Sequence, residues 1–94
     1  DMIDTAGTTV NAANAAIAEG AKSVTAVATH GVLSGPAIER LSGSSIKKVI
    51  ITDTISISED KKIDKLKIVS VSKIFGEAVI RVHNGESVSA LFEF

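Results

Sequence analysis

The sequence has 94 residues, of which 45% are hydrophobic and 22% are charged, and its formal net charge is −1. This composition is too apolar for a disordered segment, and the balanced charge argues against a broad phosphate-neutralising surface for nucleic acid. No apolar run approaches the ~20 residues that span a bilayer, and the absence of cysteine excludes disulfides and thiolate metal sites. We therefore predict one small domain, or part of one, with neither a nucleic-acid nor a membrane partner.

Strand-like and helix-like stretches alternate along the chain. Glycine, proline and serine mark many of the boundaries between them. In chain order we predict a helix over 9–19, a strand over 23–29, a helix beginning at Pro36, strands over 47–52 and 67–71, a helix over 73–83 capped by Ser72, and a short strand or extended tail over 87–92.

Continuous apolar strands separated by helices indicate an α/β fold, with a parallel sheet and helices on both faces. In the last helix, apolar spacing predicts an inward face made of Ile74, Phe75, Ala78, Val79 and Val82. The lysines over 61–67 alternate with acidic residues, and we interpret that stretch as a solvated surface.

The first nine residues carry most of the chemistry. Asp1 and Asp4 stand three residues apart, and the hydroxyl-rich turn Thr5-Ala6-Gly7-Thr8 leads into the first helix. A helix N-terminus offers unpaired N–H groups to an anion, and glycine allows close approach of the backbone. Carboxylates repel phosphate but accept hydrogen bonds from sugar hydroxyls. This pattern indicates a sugar phosphate as ligand.

A local interpretation of the same residues stays open. An Asp or Thr side chain could cap the helix, followed by an ordinary glycine turn, with no ligand involved. Moreover, nothing in the sequence supplies an Arg or Lys clamp close to the loop.

These residues resemble the phosphoribosyl-pyrophosphate loop of type I phosphoribosyltransferase folds, and in particular the ribose-phosphate pyrophosphokinase family. The family pattern places paired acids before Asp-Thr-x-Gly-Thr, and here Asp1 matches the second acid of that pair. The resemblance covers essentially the whole chain. It continues through the segments ATHGVLSGPA at 28–37, VIITDTI at 49–55, IRVHNGESVS at 80–89 and LF at 91–92.

The resemblance implies an enzyme that transfers the diphosphoryl group of ATP to C1 of ribose 5-phosphate, requires Mg²⁺ and is activated by phosphate. It also implies a cytoplasmic homo-oligomer, a hexamer built from dimers. By the same resemblance, Asp1, Asp4, Thr5, Ala6, Gly7 and Thr8 bind ribose 5-phosphate. Ser87, Val88 and Ser89 belong to an allosteric phosphate or ADP site, whereas without the resemblance they would be a polar-alternating terminal strand with Val88 inward.

The family's first paired acid, leading strand, ATP site, catalytic loop and magnesium ligands would all lie upstream of residue 1. We therefore expect residues 1–94 to be the incomplete C-terminal part of a phosphoribosyltransferase-like domain, inactive alone and without a metal site of its own. Two other functions stay open, namely a phosphoribosyltransferase and a noncatalytic regulatory paralogue of the synthetase. His30 and Asp53 follow strands and could face the site, although a structural histidine and a capping aspartate are the simpler interpretations.

Overall fold

The structure is a computed structural model that describes residues 1–92. Strands and helices alternate as the sequence predicts, with two short strands added, one before the first predicted helix and one directly after the first predicted strand. The strands are β1 (Met2–Ile3), β2 (Val24–Val27), β3 (His30–Gly31), β4 (Ile46–Thr52) and β5 (Leu66–Val69); the α-helices are α1 (Gly7–Ala18), α2 (Ala37–Ser42) and α3 (Ser72–His83); short 3₁₀ turns cover Glu59–Lys61 and Ser89–Phe92.

All strand pairs are parallel, which confirms the predicted α/β class. Strand β4 lies between β2 and β5 in a three-stranded sheet, while β1 pairs with β3 in a two-stranded one. Parallel neighbours end at the same edge, so the loops that follow β1 and β3 emerge side by side. This placement brings the segment after Ile3 against the segment after Gly31.

The core lies between the three-stranded sheet and the first two helices. Val49 and Ile51 of β4 are fully buried, and they belong to one cluster with Ala13 of α1 and Leu41 of α2. Alternate residues of β4 are more exposed, as expected for a strand with one well-covered face. Helices α1 and α2 are therefore held rigidly against the sheet, and they frame the loop that follows β1.

Helix α3 forms where the sequence predicts it, but its apolar face is not inward. The side chains of Ile74, Phe75, Val79 and Val82 are 49–70% exposed, and Ala78 is half-buried. Helical spacing identifies an apolar face without identifying what packs on it, and within residues 1–92 nothing buries this one. Ser72 also lies in the first turn rather than capping it, because Val71 occupies the cap position.

The segment over 87–92 is not a strand. The backbone N–H of Ser89 donates to Oγ of Ser87 (3.2 Å), and the N–H of Leu91 donates to the carbonyl of Val88 (3.0 Å). These local hydrogen bonds compete with a sheet ladder and close the chain into a turn. Separately, none of the helices in the described residues has the length and apolar character needed to cross a bilayer.

Candidate functional site

The candidate site is the loop between β1 and α1. A cavity of about 190 Å³ is lined by the eight consecutive residues Met2–Thr9. Its lining includes five of the six predicted ligand-binding residues, namely Asp4, Thr5, Ala6, Gly7 and Thr8. The sixth, Asp1, does not line this cavity, although it is exposed and directly precedes β1.

The first turn of α1 is formed without a side-chain cap. Ala6 holds the cap position in a left-handed conformation (φ 67°), and among residues 1–92 no side chain caps this turn. The N–H of Val10 makes the first helical bond, to the carbonyl of Ala6 (3.0 Å). The N–H groups of the first turn therefore remain open to an external acceptor. The predicted cap by an Asp or Thr side chain is accordingly wrong within residues 1–92.

Asp4 is fixed from the neighbouring loop. The hydroxyl of Ser34 donates to Oδ1 of Asp4, and the Ser34 N–H donates to the Asp4 carbonyl (3.1 Å). Leu33, which directly precedes Ser34, is buried and has φ 53°. This conformation turns the chain sharply after β3. Sequence reasoning missed Ser34, because only the parallel pairing of β1 with β3 brings it beside Asp4.

An arginine does lie against the loop, contrary to the sequence-based expectation. Nη1 of Arg40 donates to the carbonyl of Thr5 (3.2 Å). A Cβ added to Gly7 would lie 3.1 Å from the same Nη1. Arg40 is 35 residues away from Thr5 in sequence, and only the packing of α2 beside α1 brings it there. The expectation failed because it considered proximity along the chain only.

His30 and Asp53 lie outside the cavity lined by Met2–Thr9. The His30 ring is hydrogen-bonded through Nδ1 to Oγ1 of Thr54 (2.8 Å), which joins the start of β3 to the segment that follows β4. Asp53 accepts hydrogen bonds from the Ser70 hydroxyl (2.6 Å) and the Val71 N–H (2.9 Å). Those two bonds hold the pKa of the Asp53 carboxyl below its ordinary value. Both side chains thus have structural partners.

Ser87, Val88 and Ser89 form a compact turn after α3. Oγ of Ser87 lies 2.7 Å from Oγ of Ser89, and Nη1 of Arg81 donates to the Ser87 carbonyl (3.1 Å). The two hydroxyls are exposed. The turn is thus a separate group of polar atoms beside the end of α3 and does not line the loop cavity.

The described part of the chain has no set of side chains suited to bind a metal ion. Residues 1–92 contain no group of three or more histidine, aspartate or glutamate side chains placed to hold a metal ion.

The chain is similar to several known proteins over nearly its whole length. Proteins named ribose-phosphate pyrophosphokinase match it in Caldanaerobacter subterraneus (62% identity over 92 residues) and Bacillus subtilis (53% identity over 92 residues). Each match covers 98% of this chain but only 29% of the relative. A crystal structure of phosphoribosylpyrophosphate synthetase from Mycobacterium smegmatis has a TM-score of 0.88 and 41% identity, covering 90% of this chain and 28% of that one.

This chain therefore spans less than a third of the length of the relatives it matches. The family model described as the phosphoribosyl synthetase-associated domain matches residues 1–93. That match includes every strand and helix that the structure describes. The chain belongs to the phosphoribosyl synthetase-associated domain family.

Proposed function

We propose that this chain supplies the ribose 5-phosphate site of a ribose-phosphate pyrophosphokinase, which transfers the diphosphoryl group of ATP to C1 of ribose 5-phosphate. The observation that carries the proposal is the cavity lined by Met2–Thr9 at the uncapped first turn of α1. The names of the relatives support the reaction, since they are called pyrophosphokinases or synthetases.

The loop suits the 5-phosphate for two physical reasons. The first-turn N–H groups of α1 and the helix dipole favour an anion, and the exposed hydroxyls of Thr5 and Thr8 add donors. Gly7 has no side chain to obstruct the approach of a phosphate to the backbone. In this proposal Ala6 contributes through its backbone, because its side chain is buried.

The carboxylates of Asp4 and Asp1 suit the ribose hydroxyls. A carboxylate accepts hydrogen bonds, whereas it would repel a phosphate. The Ser34 hydroxyl bond uses one oxygen of Asp4 and fixes its orientation, which leaves the other oxygen for a sugar hydroxyl. Positioning of the sugar is the contribution required here, because diphosphoryl transfer depends on alignment of the attacking oxygen with the transferred group.

The remaining features of the proposal rest on the resemblance. They are ATP as the donor, Mg²⁺ as the required cation, phosphate as the activator, a cytoplasmic location and assembly into a homohexamer. The exposed hydroxyls of Ser87 and Ser89, with Val88 between them, fit a regulatory site for phosphate or ADP. The assignment of residues 1–94 to the C-terminal part of a larger domain likewise stays a prediction.

The test uses the parent polypeptide, by which we mean the complete natural polypeptide that contains residues 1–94. Incubation with ATP, Mg²⁺ and ribose 5-phosphate should give AMP and 5-phosphoribosyl 1-pyrophosphate, both resolved by ³¹P NMR. Asp4→Asn and Thr8→Ala should raise KM for ribose 5-phosphate while leaving KM for ATP unchanged. Thr25→Ala, an exposed threonine in β2, is the matched control. Residues 1–94 alone should show no turnover.

Two results would replace this function with one of the others. A phosphoribosyltransferase would instead consume 5-phosphoribosyl 1-pyrophosphate with a nucleobase and release pyrophosphate. A noncatalytic paralogue would bind an active synthetase and show neither reaction.

A further inference from the structure

We propose that Arg40 is a positioning residue for the phosphate-binding loop. It acts through the carbonyl of Thr5 and sets the affinity for the 5-phosphate group of ribose 5-phosphate. This inference rests on the proposed function of the loop. It concerns a residue outside the loop and outside the cavity lined by Met2–Thr9.

The guanidinium is delivered by a rigid element. Helix α2 is held to the core by Ala37 and Leu41, both fully buried, and the Leu41 carbonyl accepts a hydrogen bond from the ammonium of Lys65. Arg40 lies between Ala37 and Leu41 in the helix. Its Nη1 reaches the Thr5 carbonyl at 3.2 Å, so the bond links a well-packed helix to an exposed loop residue.

The contact lies next to the strained residue of the loop. Ala6 directly follows Thr5 and has φ 67°, which a residue with a Cβ adopts only where neighbouring contacts hold it. The conformation of Ala6 determines where the peptide N–H groups of Gly7 and Thr8 point. By holding the Thr5 carbonyl, Arg40 stabilises the turn that directs those N–H groups towards an anion.

Gly7 completes the arrangement. A Cβ at this position would lie 3.1 Å from Nη1 of Arg40, closer than about nine in ten real contacts of a Cβ. A side chain there would require the guanidinium to shift by a few tenths of an ångström from its position at the Thr5 carbonyl. The glycine thus has a second role besides close approach of the ligand, because it leaves room for Arg40.

The charge of Arg40 acts in the same direction. Its guanidinium carries a positive charge and lies near the loop without lining the cavity. Its field favours a dianionic ligand, although its exposure means that salt weakens this effect. Orientation and charge therefore make separable contributions.

Three variants of the parent polypeptide separate these contributions. Arg40→Met removes both the donor and the charge, Arg40→Lys keeps the charge on a different geometry, and Glu39→Gln changes an exposed neighbour on the same helix. Binding of ribose 5-phosphate is measured by titration calorimetry, and KM for each substrate by steady-state kinetics.

We expect Arg40→Met to weaken ribose 5-phosphate binding by about tenfold, as for loss of one hydrogen bond from a charged donor. KM for ATP should stay unchanged, Arg40→Lys should recover part of the loss, and Glu39→Gln should match the unsubstituted protein. A purely structural role would lower kcat and thermal stability without separating the two KM values. If Arg40→Met does not fold, Arg40→Lys still tests the prediction, since it should show a smaller loss confined to ribose 5-phosphate.

The outcomes distinguish this inference from the proposed function. If the unsubstituted polypeptide does not bind ribose 5-phosphate, the proposed function is wrong and this inference falls with it. If the unsubstituted polypeptide binds ribose 5-phosphate, and Arg40→Met and Arg40→Lys bind it as tightly as the unsubstituted polypeptide does, the proposed function stands. The proposed role of Arg40 is then wrong.

Discussion

The ammonium of Lys65 lies 2.7 Å from the carbonyl oxygen of Leu41 and 3.0 Å from that of Ser44. It therefore closes the C-terminal end of α2, where the final carbonyls of a helix lack internal partners. The alternation of lysines with acidic residues over 61–67 predicts a solvated surface, but Lys65 is half-buried and hydrogen-bonded. Because α2 carries Arg40, the contact also contributes indirectly to the loop.

Substitution of Lys65 should therefore loosen α2. We expect Lys65→Met to lower the free energy of local opening of α2 by about 1–2 kcal/mol, since a charge-assisted bond at a helix C-terminus is lost. The measurement is hydrogen exchange of peptides covering 37–44 in the parent polypeptide. Lys67→Met is the control, because Lys67 is exposed and has no side-chain hydrogen bond within residues 1–92. Equal protection in both variants would contradict the assignment.

The second prediction concerns the close approach of β3 to β4. Gly31 is buried, and a Cβ added there would overlap Cδ1 of the fully buried Ile51. We expect Gly31→Ala to destabilise the fold by about 1–3 kcal/mol through overpacking. Chemical denaturation of the parent polypeptide measures this loss.

A second substitution tests the cause of that loss. Ile51→Val removes Cδ1, so Gly31→Ala combined with Ile51→Val should lose less stability than the sum of the two single changes. Gly43→Ala serves as the control, because its Cβ would meet only the Glu39 carbonyl at an ordinary 3.5 Å. Strict additivity would show that the clash is not the cause.

Local and periodic signals predicted the elements well. The predicted helices over 9–19 and 73–83 correspond to Gly7–Ala18 and Ser72–His83, because apolar spacing and glycine or serine boundaries are properties of neighbouring residues. The loop residues from Asp4 to Thr8 could be predicted as one group for the same reason, since they are consecutive in the chain.

The contacts that fix the loop could not be predicted in this way. Ser34 and Arg40 lie 30 and 35 residues from their partners, and only the parallel pairing of β1 with β3 and the packing of α2 bring them near. The prediction that the apolar face of α3 points inward failed for a related reason. An apolar stripe predicts that a helix has a face to bury, but the partner of that face is a tertiary property.

The third prediction concerns pH. Hydrogen bonds from the Ser70 hydroxyl and the Val71 N–H lower the pKa of Asp53 below its ordinary value of 3.8. Because the folded pKa is below that of the unfolded chain, the stabilisation is complete above the unfolded pKa. It is lost as the pH falls through the folded pKa.

Asp53→Asn should therefore be less stable than the unsubstituted parent polypeptide at neutral pH, and the difference should shrink as the pH falls below 3.8. Denaturation midpoints at several pH values measure it. Asp64→Asn is the control, because Asp64 is exposed and its side chain makes no hydrogen bond within residues 1–92. A pH-independent difference for Asp53→Asn would mean that the charge of this carboxylate is not involved.

The last prediction concerns the turn over 87–89. Oγ of Ser87 lies 2.7 Å from Oγ of Ser89 and accepts the Ser89 N–H at 3.2 Å. If this turn binds phosphate, Ser87→Ala removes one donor and also loosens the loop that presents the other. We expect a several-fold higher phosphate concentration for half-maximal activation of the parent polypeptide, with KM for ribose 5-phosphate measured at saturating phosphate unchanged.

The control for this prediction is Ser23→Ala, at an exposed serine whose side chain makes no hydrogen bond within residues 1–92. Arg81→Met gives a second test, because Nη1 of Arg81 holds the Ser87 carbonyl at 3.1 Å. It should shift phosphate activation in the same direction as Ser87→Ala. If both variants respond to phosphate like the unsubstituted protein, the turn has only a structural role at the end of α3. The regulatory phosphate then binds elsewhere.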